Sequence, residues 1–417
     1  FRYVVLLNGR KTVHEALVKH SLNFSSRPMF YMDDFVNPKR SGIVKHPYDD
    51  HFKFHHRICI NVLRNLGFGQ GIMESRIKIE VEDLVRRIEM KNKQAFDPSF
   101  EIVSAVSNVI CSIIFGKGWV KEDQEFLEGL NLMYSMINSA NKSLIINFFP
   151  ILRHFTYYKK IIDNEKVLFG RWQIYINKIV NRVVKTEESE NFCRLYLEEA
   201  KHFANVTFDE DQFIGTITDL FAAGVDTTAT TLRWFIVMMA NNQDVQKKIQ
   251  DELERVVGLK KVPSLENKPN LPITEAAILE VMRFKTLLPF AFPHWTTKQT
   301  IIDNILIPNN VMVMPNLYSV HMNTDDWNEP EKFKIERFLN EDQTQVVRRD
   351  LIMPFSLGKR ACLGEVLAKQ EIFLFASTLL QKFNIVPSEG EEKIFVTEKI
   401  GLTNTPSPYK VRFICRK

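Results

Sequence analysis

A mainly α-helical fold with a small β region, α+β in class, is predicted by three observations. From about Phe52 to about Leu259 apolar residues recur at helical spacing, as in "ESRIKIEVEDLVRRIEM", which puts Ile77, Val81, Leu84 and Ile88 on one face. Extended patterns are short and confined to the start, "YVVLL", and to a later region, "QTIIDNILIP" and "NNVMVMP", where Pro and Asn punctuate them. No repeat, low-complexity tract or Gly/Ser/Pro linker divides the chain, so residues 1–417 are read as a single domain.

With 417 residues, 45% of them hydrophobic, the chain can bury a large core. Lys and Arg number 55 against 50 Asp and Glu; the formal charge of +5 is not gathered into a long basic run, so nucleic acid is not an expected partner. The small excess suits a local patch for an acidic partner or anionic lipid. Cys59, Cys111, Cys193, Cys362 and Cys415 are odd in number, far apart and without a CxxC pair. That argues against a disulfide framework and a cysteine-rich zinc site, and fits a reducing compartment.

Taken in order, the chain opens with a strand, a turn at Asn8-Gly9, and a helix with Val13, Ala16, Leu17 and His20 on one face. "FRYVVLLNGR" is too short an apolar run to span a bilayer. Pro28, Pro38, Gly42 and Pro47 make residues 25–50 a long irregular segment, and a loop of that length is more often functional than accidental. "GFGQG" at 67–71 lacks the spacing of a phosphate loop and follows no strand. Thr207 and Glu210 form an expected capping box for a long apolar helix that carries Asp226 and Thr227 just after Ala223 and Gly224. An acid and an alcohol inside an apolar helix are costly unless used or satisfied. Thr227 alone would bond back to the Ala223 carbonyl, and Gly224, at about 1 kcal/mol of helix stability, is expected to open room for a small ligand. Glu280 and Arg283 lie one turn apart and can pair.

"PFSLGKRACLGE" places Cys362 between apolar and glycine residues just ahead of a helix-like run. A thiolate is a strong iron ligand, but a free thiol has a pKa of about 8.5 and needs help to ionise. Gly358 permits a tight turn, Arg360 supplies charge, and a helix starting near Leu363 points its positive end at Cys362. Gly364 would let a flat ligand approach the backbone.

Phe355, Gly358, Arg360, Cys362 and Gly364 complete the form F-x-x-G-x-R-x-C-x-G, and the stretch resembles the haem-binding loop of the cytochrome P-450 family of haem-thiolate monooxygenases. "AGVDTT" matches that family's oxygen-binding helix, which implies that Thr227 and Asp226 relay protons. The resemblance assigns Glu280 and Arg283, joined by Arg337, to a buried structural cluster, and His294 beside Arg360 to a haem propionate. "YDDHFKFHHR" resembles the helix Y-G-x-x-W-x-x-x-R-R of animal microsomal members, close to family-two drug- and steroid-metabolising enzymes. Asp49, Phe52 and His56 depart from it, so the propionate grip is lost at Phe52 and becomes a titrating group at His56, while Arg57 remains. "NFSSRP" is similar to the family's F-A-G-R-P.

The resemblance implies haem b held between the Asp226-Thr227 helix and the Cys362 loop, with Cys362 as metal ligand. It also implies O2 as co-substrate and electrons from NADPH through a flavoprotein reductase, with NADPH-cytochrome reductase and cytochrome b5 as partners. One oxygen atom would enter a lipophilic small molecule, whether steroid, fatty acid, terpenoid or xenobiotic. Pocket candidates are Leu220, Phe221, Ala223, Gly224, Leu288, Phe290, Phe292 and Leu402, with Gly401 and Thr403 nearby. Lys359, Lys247 and Lys248 would help form the reductase-docking face. An anchor helix expected to precede the chain would hold it at the membrane surface, on the cytosolic side of the endoplasmic reticulum. A haem-thiolate isomerase or dehydratase of peroxides would need no external electrons, and a non-enzymatic haem-binding protein would gain nothing from Asp226 and Thr227.

Overall fold

The computed structural model describes residues 3–68, 71–119, 123–186, 190–201 and 209–416. Strand β1, Val4–Asn8, leads into helices α1, Arg10–His14, and α2, Ser21–Phe24, with a π-helical turn at Glu15–Lys19 between them. Val13, Ala16 and Leu17 are buried on the expected face, with His20 half-buried at its edge. The segment 25–50 is irregular except for α3, Asp33–Val36. Long helices follow: α4, Asp50–Asn65; α5, Gly71–Met90; α6, Ser99–Ile114; α7, Gln124–Phe148; α8, Thr156–Lys185; α9, Phe192–Lys201; and α10, Glu210–Asn241. Then come α11, Gln243–Val256, and α12, Pro272–Phe284.

The periodicity explains which of these lie inside. Helix α5 buries Met73, Ile77, Val81, Leu84 and Ile88 on one stripe and turns charge outward. Helix α6 is buried on almost every side and packs along α10, which is buried nearly throughout from Val225 to Ala240. A helix apolar all round belongs in a core, and α10 is the spine of this one. Its N-cap is Asp209, which accepts from the amides of Asp211 and Gln212; Thr207 of the expected capping box lies outside the described residues.

The β region is small. Strands β2, His294–Trp295, β3, Thr300–Ile302, β4, Ile305–Ile307, and β5, Met312–Asn316, follow α12. Strand β5 pairs in parallel with β1 and antiparallel with β2, where His294 faces Val313. Strands β3 and β4 form a hairpin whose two turn residues, Asp303 and Asn304, have φ of +48° and +63°, the left-handed pair that a tight hairpin requires. Helices α13, Leu317–His321, and α14, Glu365–Lys382, precede two antiparallel pairs, β6, Phe383–Val386, with β9, Arg412–Cys415, and β7, Glu398–Ile400, with β8, Asn404–Pro406.

The cluster expected around Glu280 is present, with Glu280 and Arg283 fully buried. Arg283 grips Glu280 through two hydrogen bonds of 2.7 Å, and Arg337 reaches the same carboxylate at 3.3 Å. Arg283 also donates to the carbonyls of His321 and Pro330, at 2.8 and 2.9 Å, and so ties α12 to the chain following α13. No helix among the described residues is long and apolar enough to cross a membrane.

Candidate active site

The cysteine loop is fixed by Gly358. Its φ is +76°, and a Cβ there would run into the carbonyl oxygen of Leu17, so both conformation and space demand glycine. The Cys362 amide donates to the Phe355 carbonyl at 2.9 Å and closes the loop. Gly364 caps α14 and faces open space, where a Cβ would meet only Cys362 Sγ, at 4.0 Å. The unpaired amides of the first turn of α14 therefore lie beside a free thiol with an exposed surface. Desolvation by the surrounding chain still lifts the Cys362 pKa above its ordinary value, with the Gly364 amide opposing it.

Arg360 does not bring its charge to that sulfur, contrary to the sequence expectation. Its guanidinium turns the other way and donates to the carbonyls of Ser25, Ile43 and His46, at 2.7, 3.1 and 2.5 Å. It also stacks 3.5 Å over the Phe52 ring. Two further arginines that the motif pattern gave no role gather here. Arg27 donates to Val44, Phe292 and Pro293 carbonyls, and Arg40 to those of Arg27, Pro28 and Lys45. Burial and then Arg360 bring the Arg27 pKa down to about 9, and burial brings Arg360 to about 10. The Nε of Arg40 is buried without a partner among the described residues.

His294 enters this cluster from β2. Its Nδ1 lies 2.6 Å from the Phe24 carbonyl, which holds the proton on Nδ1 and leaves Nε2 as the nitrogen open to a ligand. Burial, then Arg27, push its pKa well below the ordinary value. His56 is half-buried against Phe52, and burial followed by Arg360 lowers its pKa as well. Arg57 is exposed, because one residue of helix turns it about 100° away from the face shared by Phe52 and His56.

Across the cavity, the middle of α10 carries an interruption in its burial. Leu220, Ala223, Gly224 and Thr227 share a stripe at i, i+3, i+4 and i+7 and are half-buried or exposed, while Val225, Asp226 and, Arg233 apart, the residues from Thr228 to Met239 are buried. The cavity is lined by Thr227 and Thr228 of α10, Pro354 and Phe355 of the cysteine loop, and Ala368 and Ile372 of α14. Thr227 Oγ1 donates to the Ala223 carbonyl at 2.8 Å, the back-bond its position in the helix allows. Asp226 faces away from this stripe, where Oδ2 accepts from Thr403 Oγ1 at 2.9 Å. Burial raises its pKa, and the Thr403 hydroxyl opposes the rise.

Pocket candidates separate. Phe221 is a core residue, packed on Phe115 and Trp172, because it sits on the α6 and α8 side of α10. Gly224 serves the helix crossing: a Cβ there would lie 2.6 Å from Ile110 Cδ1 of α6. Phe292 lies under the Arg27 guanidinium, 5.3 Å from it. Leu288 is half-buried, while Phe290 and Leu402 are exposed.

The chemistry of this donor set fits a haem. A free thiol is available for iron, the adjacent Gly364 leaves room for a flat ring, and Arg27, Arg40 and Arg360 form a cationic cluster, with neutral His294 beside it, suited to two propionates. A cysteine loop facing a threonine-bearing spine helix defines the haem-thiolate class.

Comparison with known proteins agrees. The family model described as Cytochrome P450 matches residues 1–413, and the chain belongs to the cytochrome P450 family. It is 35% identical over 419 residues to cytochrome P450 2U1 of Homo sapiens, covering 98% of this chain and 76% of that protein. It is 34% identical over 418 residues to cytochrome P450 2J2 of Homo sapiens, with 98% and 81% covered. It is 33% identical over 424 residues to cytochrome P450 2J5 of Mus musculus, with 99% and 82% covered. The protein is thus a haem-thiolate monooxygenase of lipophilic substrates that uses haem b, O2 and electrons from NADPH delivered by a redox partner.

Proposed function

We propose that Cys362 would ligate the haem iron, that Arg27, Arg40, Arg57, Arg360, His294 and His56 would hold its propionates, and that Thr227 and Asp226 deliver protons. When bound, the haem supplies dioxygen reduction and insertion of one oxygen atom into a C–H or C=C bond. The observation that carries this reading is the cavity that Thr227 and Thr228 of α10 share with Pro354 and Phe355 of the cysteine loop. Thr227 Oγ1 is held toward that cavity by its bond to Ala223 and can swing to donate elsewhere. Asp226, with its raised pKa, can carry a proton and release it.

Substrates on this reading are steroids, fatty acids, terpenoids or xenobiotics, because the lining residues are apolar and aromatic. NADPH-cytochrome reductase supplies electrons, and cytochrome b5 is a second partner. Lys359 is exposed on the cysteine loop, whereas Lys247 and Lys248 are engaged with Asp251 and Glu336 and contribute less free charge. A single domain at the cytosolic face of the endoplasmic reticulum fits the apolar rim formed by Phe148, Phe149, Ile151, Phe155 and Tyr157, which are exposed where α7 gives way to α8 beside Arg153. Thr227→Ala tests the relay. It should leave haem reduction intact but cut product formed per NADPH and raise peroxide release; unchanged coupling would remove Thr227 from the proton path.

A further inference from the structure

We infer that Thr403 is a positioning residue for proton delivery: its hydroxyl fixes the Asp226 carboxyl and ties it to the loop that carries Leu402. The inference rests on the reading of Asp226 as a proton carrier. Thr403 and Asp226 are both buried, and their hydrogen bond of 2.9 Å joins α10 to a segment 177 residues later.

The loop that presents Thr403 is held on several sides. The Leu402 amide donates to Asn141 Oδ1 of α7 at 2.8 Å, and the Asn404 amide to the Leu287 carbonyl at 2.7 Å. Trp234 of α10 donates its indole N–H to the Asn404 carbonyl, also at 2.8 Å. A side chain at Gly401 would lie 2.6 Å from Asn141, so the approach of α7 is close. Thr403 therefore has little freedom to point elsewhere. Leu402 is 47% exposed and sits one residue before the hydroxyl that holds the acid.

Other charged and titratable groups around this acid are Tyr134 of α7 and Arg233 of α10, with the Lys285–Glu398 pair bonded beneath Asn404. A hydroxyl donating to a carboxylate favours its ionised form, as Arg233 does, while burial opposes both. Removing the donor at Thr403 must therefore raise the pH at which Asp226 loses its proton. A hydrogen bond to a charged group corresponds to roughly tenfold in that equilibrium, or about one pH unit.

The test is a carboxyl infrared titration of the ferric holoenzyme, with the Asp226 band identified by difference against Asp226→Asn. Thr403→Val, which keeps the shape and loses the donor, should move that titration up by about one pH unit, and Thr403→Ser should restore it. With dodecanoic acid as probe substrate, product formed per NADPH should fall about tenfold in Thr403→Val and recover in Thr403→Ser. An unmoved band, or a coupling loss that serine does not rescue, would overturn the inference and leave Thr403 a packing residue. If Asp226→Asn itself keeps full coupling, the proton-carrier reading fails first and takes this inference with it; loss in Asp226→Asn with no change in Thr403→Val refutes the Thr403 inference alone.

Discussion

Replacing Glu280 by Gln keeps the shape of the side chain and removes its charge. The consequence can be worked from the structure. Arg283 is 0% exposed, and its two 2.7 Å bonds end on Glu280. Glu280 is also shared with Arg337 at 3.3 Å and with the Lys334 amide at 2.8 Å. Substitution therefore strands a buried cation with only carbonyl partners, at a cost of about 3–5 kcal/mol. With about 2.1 cal/mol/K of unfolding entropy per residue, a chain of 417 residues loses about 1 °C of midpoint per kcal/mol, so a fall of about 3–6 °C is expected. Lys332→Ala, which breaks an exposed pair with Glu329, is the control and should shift the midpoint by less than about 1 °C. Thermal unfolding of the ferric holoenzymes at one scan rate decides. A Glu280→Gln midpoint indistinguishable from that of Lys332→Ala would show that the buried cluster does not hold this region.

Gly358→Ala should abolish haem incorporation, since it adds left-handed strain of about 1–2 kcal/mol and a clash with the Leu17 carbonyl; normal haem content after purification would contradict it. Phe52→Leu removes the ring beneath Arg360 and should speed haem transfer to an apo-globin acceptor by about threefold to thirtyfold; an unchanged rate would deny Phe52 that role. His55 is buried, and burial followed by His51 holds its pKa at about 4, below its unfolded value. Between about pH 6 and pH 4 the unfolded chain binds the extra proton, so this residue makes stability fall as the pH falls through that window. Replacing His55 by Gln should flatten the pH dependence of unfolding free energy there by up to about 1.4 kcal/mol per pH unit, and an unchanged slope would contradict the neutral assignment.

The elements carrying a local pattern were legible in the sequence. The α5 stripe, the polar pair within α10, the Glu280–Arg283 spacing and the cysteine loop all rest on contacts within a turn or two, or on spacing between glycines and charges. What was not legible depends on chain segments far apart. Arg360 sits in the loop motif, yet its direction is set by carbonyls at Ser25, Ile43 and His46, more than 300 residues away in sequence. Arg40 lies in an irregular segment with no periodicity to mark it. Phe221 reads as a pocket residue from its place beside Leu220, but one step along a helix turned it into the core between α6 and α8. Asp226 announced itself as a buried acid, while its partner Thr403 came from a strand-edge loop near the carboxyl end.

Thiolate ligation by Cys362 is the claim on which the functional reading depends. The absorption spectrum of the dithionite-reduced holoenzyme under carbon monoxide tests it most directly. The account predicts a Soret band strongly shifted to the red, as thiolate ligation produces, and its loss in Cys362→Ser. A band at the position of histidine-ligated or neutral-thiol haem in the unmodified enzyme, or a red-shifted band that survives in Cys362→Ser, would contradict it.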